Sequence, residues 1–462
     1  MLLDFEINMR NFIKTSLIAV ACTGILVSCD LIDTGIDQGD QEIKTQEQSA
    51  ESFQLDDILS PDNLGQIVGS GGSEPEQEGE SGTSTVLKKM SVQDAQILSS
   101  NGYMDGTDLG RSNASNTVGL QNVEDLIWNF DAGTEIASTP IKTPNDSGVL
   151  FGDISGKFYS LNIDTGEINW EFQAKGPIST TPAISGNVVV FGSRDQNLYV
   201  LDTESGDLLW KFNAGGWIES SPVINEGIIY FGSYDGNLYA LDILDGEIKW
   251  SYDAESVIAA SPSIGDGIIY FISDAGILWA LDLYTGRAKW NFKMYSESPV
   301  LSEVVTETSA PIVLFGSVYA SGLDGIVYAI DGRTGQEQWA YQGNTLLSLN
   351  LSAADGMVYL VELAGSVTSL DAGTGAKVWV LEGFSAYNDP VFICDGQVYF
   401  GTTDGTIHTV SAKTGEKNWE FKVLSGINTY PSVYDGVLYV GSSDGHVYAL
   451  KGASADSNPL QQ

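Results

Sequence analysis

A chain of 462 residues has room for two or three ordinary domains or for one large repeat architecture. Acidic residues outnumber basic ones 61 to 21, a formal net charge of −40. That balance argues against a nucleic-acid partner, because gripping a phosphate backbone needs Lys and Arg to displace counterions; a basic protein surface or a salty habitat suits it better.

In chain order, the first element is a targeting segment. Arg10 and Lys14 precede an apolar run over 17–27, and "LVSC" closes it at Cys29. The run is short for a membrane span of about 20 residues. It resembles a bacterial lipoprotein signal: Leu26, Val27 and Ser28 stand in the lipobox positions and Cys29 in the place of the lipidated residue, with Met9 as the start that fits such a signal best. The resemblance implies a lipid anchor in a bacterial cell envelope, facing the periplasm or the cell surface. Asp30 after the lipidated Cys implies inner-membrane retention where the enterobacterial sorting rule holds. Cys22 is then removed with residues 1–28 and Cys29 acylated, so Cys394 has no partner for a disulfide. It lies in the apolar strand "PVFICDGQVYF" and reads as a buried inert thiol.

Residues 30–121 are rich in Ser, Gly, Gln, Asp and Glu and read as a mostly disordered acidic tether. As a random coil such a stretch spans roughly 50 Å. Two apolar patches interrupt it, one from Phe53 and one from Thr85, each read either as fluctuating coil or as a short docking helix.

Beyond it the sequence repeats. Trp128, Trp170, Trp210, Trp250, Trp290, Trp339, Trp379 and Trp419 recur at intervals of 42, 40, 40, 40, 49, 40 and 40 residues. A forty-residue period marks a propeller or a solenoid. Within "SSPVINEGIIYFGSYDGNLYALDILDGEIKW" four short strands are separated by "NEG", "YDG" and "ILDG", the Asn, Asp and Gly that tight hairpins require. Four antiparallel strands per repeat make a propeller blade. The predicted fold is all-β: an eight-bladed propeller over 122–452, with a short tail at 453–462. Trp128 lacks the three strands that should precede it, and the chain ends on three strands lacking a fourth. The N-terminal strand therefore completes the last blade, leaving no open edge. A seven-bladed ring with a remainder is the alternative. One indole per blade is expected to wedge against the next blade.

The pattern Ala-x-Asp-x-x-Thr-Gly-x-x-x-Trp, complete at Ala280 to Trp290 and Ala329 to Trp339, resembles the docking motif of the quinoprotein, or PQQ-like, eight-bladed propellers. The motif serves enzymes and non-enzymes alike. Enzymatic members carry adjacent cysteines, a Trp platform and a calcium ion held by Glu, Asn and Asp. This chain lacks adjacent cysteines and a haem-binding Cys-x-x-Cys-His. Strand alternation would gather Glu135, Trp217, Glu219, Asn388, Asp389 and Asn428 at one mouth of the channel, as an interaction surface with no catalytic residue, metal or cofactor assigned. His408 and His446 replace Tyr and Asn of other repeats and read as filler. The interval from Trp290 to Trp339 holds an enlarged loop, a candidate binding insertion, and Leu351 stands where other repeats have Pro.

The resemblance extends to the non-enzymatic branch that includes the lipoprotein BamB of the outer-membrane barrel-assembly machinery. It implies a monomeric, membrane-anchored scaffold for envelope proteins with basic surfaces, that machinery among them. A PQQ- and calcium-dependent dehydrogenase relative and a surface glycan- or ligand-binding module are the alternatives. Cys29→Ala is expected to move the protein from the membrane to the soluble fraction and to abolish labelling by radioactive palmitate; unchanged labelling contradicts the anchor.

Overall fold

The repeat unit shows why each letter stands where it does. In the computed structural model, Val223–Asn225, Ile228–Gly232, Asn237–Asp242 and Ile248–Asp253 pair in sequence as one antiparallel sheet. The second and third strands are buried on both faces, which their near-continuous apolar runs require. The fourth alternates between exposed and half-buried side chains, since only one of its faces meets a neighbour. The first two strands are joined by Glu226 and Gly227, both at positive φ, the geometry of a tight type I′ hairpin.

The structure describes residues 83–86 (backbone only), 113–115, 117–294, 309–322, 324–343, 350–362, 365–385 and 390–452. All regular structure among them is β. Eight such sheets form the blades, numbered here in chain order: 141–173, 183–213, 223–253, 263–293, 312–342, 350–381, 392–422, and 432–451 joined by Asp125–Asp131. The last pairing is antiparallel, with Trp128 opposite Ala449. The expected eight-bladed ring closed by its N-terminal strand is the fold observed, and the seven-bladed alternative falls.

Neighbouring blades are joined by a repeated contact. Each of the eight indole Nε1 groups donates to a backbone carbonyl 2.8–3.0 Å away: Trp128 to Ile163, Trp170 to Thr203, Trp210 to Ile243, Trp250 to Leu283, Trp290 to Gly332, Trp339 to Ala372, Trp379 to Ala412 and Trp419 to Leu120. In the first seven the acceptor lies in the turn between the third and fourth strands of the next blade. That turn is set by its first residue, Asp in five blades, Asn162 in blade 1 and Ser411 in blade 7; the Asp242 carboxylate, for example, accepts the Leu244 amide at 2.9 Å. The glycine of the turn lies under the ring: a Cβ on Gly286 would come within 2.7 Å of Trp250 Cδ2.

More of the N-terminal stretch belongs to the body than composition suggests. Ala114–Ser115 runs parallel to Phe392–Cys394, on the inner edge of blade 7. Asn113 Nδ2 donates to Leu351 O and Ser352 Oγ in blade 6, and Leu120 is fully buried. Leu351 permits a longer inner strand, Asn350–Ala354, where a Pro would lack the ladder amide. Thr83–Val86 is a strand, neither of the two readings given for the start of the Thr85 patch, whose remainder lies outside the described residues. The signal segment, the Phe53 patch, most of the enlarged loop and the C-terminal tail lie outside the described residues.

Gly286→Ala and Gly356→Ala both place a methyl group at positive φ, but the second meets nothing within 4 Å. Gly286→Ala is expected to cost about 1 to 3 kcal/mol more in denaturant unfolding, the usual range for overpacking. Equal losses would mean that the indole contact carries no weight.

Candidate functional site: one mouth of the channel

On one face of the ring, the turn between the second and third strands of a blade locks onto the loop that enters it. The amide of the second turn residue donates to the loop: Ile154 to Glu135, Arg194 to Pro177, Tyr234 to Trp217, Asp274 to Val257 and Ser443 to Gly426, at 2.9–3.2 Å. A buried Ile follows each acceptor, at 136, 178, 218, 258 and 427. In these five blades backbone positions at the mouth are therefore fixed, while the second turn residue and the loop residues beside Ile are free to differ.

In blades 2 and 3 the third turn residue is an Asp committed within its own blade. Asp235 accepts the Asn237 amide at 2.9 Å and the Tyr239 hydroxyl at 2.7 Å, and Asp195 does the same with Asn197 and Tyr199. Blade 4 departs from this pattern, as do blades 1 and 6 with Ser155 and Ala364 in that place. The turn of blade 4 reads Ser273-Asp274-Ala275-Gly276, with the acid one place early, and Trp279 replaces the Tyr. Asp274 Oδ1 and Trp279 Nε1 are both left buried without a hydrogen-bond partner. Burial, and then the neighbouring Glu219 charge, push the Asp274 carboxyl up to about 6.

Around Asp274 the mouth of blades 2 to 4 carries a mixed cluster. Glu219 pairs one carboxylate oxygen with Arg194 Nε and accepts the Tyr234 hydroxyl on the other. The Arg194 guanidinium lies 5.7 Å from the centroid of Trp217, whose ring is 5.5 Å from that of Tyr234. Trp217 is 47% exposed, which leaves a large aromatic face open between charged groups.

The six residues expected at this mouth thus divide. Trp217 and Glu219 meet in that cluster. Glu135 and Asn428 meet each other across the closure of blades 8 and 1, with Asn428 Nδ2 donating to Glu135 Oε1 at 2.6 Å. Asn388 and Asp389 lie outside the described residues. Arg194, Tyr234 and Asp274 were not expected here, although the shift from "SYDG" to "SDAG" is visible in the sequence. Among the described residues no three His, Cys, Asp or Glu side chains are placed to share a metal ion. With the Glu135 and Glu219 carboxylates already engaged by Asn428, Arg194 and Tyr234, the described residues of this mouth do not fit a quinone–calcium centre, and no chemical step through one follows.

In blade 7, at the place of Tyr239 and Trp279, His408 is buried, its ring stacked 5.2 Å from Phe400 and its protonation suppressed chiefly by burial. Cys394 Sγ donates to Thr117 O at 3.0 Å, and burial pushes its thiol up to about 11, as for an unreactive group.

The sequence profile of the family described as outer membrane protein assembly factor BamB matches residues 115–212, 185–381 and 364–457. The chain belongs to that family. Among solved structures, BamB from Moraxella catarrhalis superposes with a TM-score of 0.59 at 18% identity, covering 71% of this chain and 99% of its own. The quinohemoprotein alcohol dehydrogenase from Comamonas testosteroni gives 0.66 at 16%, over 80% and 86%. The computationally designed protein Ika8 gives 0.58 at 20%, over 73% and 100%. At these identities the likeness is one of fold. Comparison with curated protein sequences gives no match.

Below about pH 4 the Asp274 carboxyl is protonated in folded and unfolded chains alike and costs nothing. As pH rises through about 6 the folded protein must bear a half-buried charge, and stability falls. Asp274→Asn is therefore expected to be more stable than the parent at pH 8, by at most about 1 kcal/mol given solvent screening, with the gap closing towards pH 4. Thermal unfolding across that range checks it; a gap independent of pH contradicts it.

Proposed function

We propose that this protein is a lipid-anchored, non-catalytic scaffold of the bacterial cell envelope. It engages the basic surface of a partner protein through the channel mouth of blades 2 to 4, in an outer-membrane assembly role similar to BamB's. The observation that carries the reading is the Trp217, Tyr234, Arg194, Glu219 and Asp274 cluster on a propeller of this family. Exposed aromatic rings beside Arg are the residue types that dominate binding energy at protein interfaces. Asp274 adds a second acid beside Glu219, and a Lys or Arg of the partner would be drawn to this pair on docking. The strongly acidic chain would draw such a partner in from a distance.

A dehydrogenase relative is the second reading, favoured by the fold likeness to the Comamonas enzyme. The two are separated by in-membrane crosslinking with partner identification and by dye reduction with added quinone, calcium and an alcohol. Charge reversal in Glu219→Lys/Asp274→Lys, or Trp217→Ala, is expected to lower recovery of the crosslinked partner by roughly 30-fold, the loss of one interface hot spot. Undiminished recovery, or dye reduction by the parent protein, contradicts the scaffold reading.

A further inference from the structure

The outer strands of the blades differ in one telling position. The residue before the docking Trp is Asn169, Lys249, Lys289, Gln338, Val378 or Asn418 in six blades and Ile127 in blade 8, and it is exposed in all seven. In blade 2 it is Leu209, only 3% exposed. The same strand, Leu208–Asn213, holds Trp210 and Phe212 at 0%, whereas Phe172, Tyr252, Phe292, Tyr341 and Phe421 in the matching place are half-buried.

The backbone shows what accompanies this burial. Thr83–Val86 pairs antiparallel with Leu208–Asn213, setting Thr83 opposite Asn213, Ser84 opposite Phe212, Thr85 opposite Lys211 and Val86 opposite Trp210. Among the described residues no other blade carries a fifth strand on its outer edge.

A free sheet edge offers unpaired amides and carbonyls to any extended chain, and proteins blunt it with Lys and other polar side chains. Most of the other blades follow that rule. Leu208 has exposed apolar counterparts in Ile168, Ile248 and Leu126; blade 2 differs in that Leu209 is buried at 3% where a fifth strand is added, whereas Ile127 in the same place of blade 8 is 38% exposed on an edge without one. We propose that the outer edge of blade 2 is a strand-docking site, and that its occupant is the chain's own Thr83–Val86. The contact is β-strand addition within one molecule: ladder hydrogen bonds supply affinity and Leu209 on the receiving strand supplies selectivity. It ties the long acidic N-terminal stretch to the rim of blade 2, some thirty residues ahead of the point where the chain enters the inner edge at Ala114. The site is separate from the channel mouth and does not depend on the function proposed for it.

The test uses the full-length chain and the double variant Ser84→Pro/Thr85→Pro, which removes two successive backbone donors outside the ring. Hydrogen exchange read by mass spectrometry is expected to speed up at least 10-fold across 208–213 in the variant and to stay unchanged in blades 3 and 4. A synthetic peptide of residues 80–90 is expected to bind the variant at least 10-fold more tightly than the parent, whose edge is filled. Adding Leu209→Lys is expected to abolish that binding. Equal exchange in parent and variant, or peptide binding indifferent to Leu209→Lys, overturns the proposal. So does protection in the parent that disappears on dilution together with a dimer in light scattering, because the strand would then come from a second copy.

Discussion

The ring depends on an indole that spends its one polar atom on the next blade. Burying a Trp ring between two sheets is favourable only if its N–H finds an acceptor, since an unmet donor in an apolar interface costs about as much as the contact returns. The turn between third and fourth strands provides that acceptor at a fixed place. Its first residue, an Asp in five blades, an Asn or a Ser in the other two, gathers the turn amides, its glycine leaves room for the ring face, and the carbonyl after that first residue is held towards the indole. Three residue types separated by fixed spacings thus make one interface, and repeating them makes a circle.

The circle closes by a different means. Blade 8 has no turn of this kind because its outer strand comes from the other end of the domain. Trp419 donates instead to Leu120, 299 residues away in sequence, and Leu120 also receives Gln397 Nε2 and gives its amide to the Tyr399 hydroxyl. Closure therefore draws twice on the N-terminal part of the body: Asp125–Asp131 completes the sheet, and the segment just before it completes the last indole contact.

Where the packing grammar is strict, variation is confined to a few positions, and these gather at the mouth. Moving one acid forward by a residue in blade 4 removes a Tyr–Asp bond present in blades 2 and 3 and leaves two buried polar atoms unmatched. Such a local loss of stability has its natural explanation in function. The same reasoning separates what was legible in the sequence from what was not. Blade number and closure were legible, because both are written in Trp spacing. Trp217 and Glu219 were legible because their loop position assigns them to the mouth. Arg194, Tyr234 and Asp274 were hidden inside turns that read as hairpin chemistry, and only a comparison of the second turn residue across blades isolates them. Leu120, Ala114–Ser115 and Thr83–Val86 carry no motif at all; their places are set by sheet edges formed from residues far along the chain.

The most direct test of the indole account is hydrogen exchange at the ten Trp side chains, followed by NMR on protein labelled with ¹⁵N at Trp. The eight docking indoles, Trp128 and Trp419 among them, are predicted to exchange slowly and as one cooperative group, with the exposed Trp217 exchanging fast. Exchange at Trp128 or Trp419 as fast as at Trp217 would mean that the ring is open at its seam, and the account would fail.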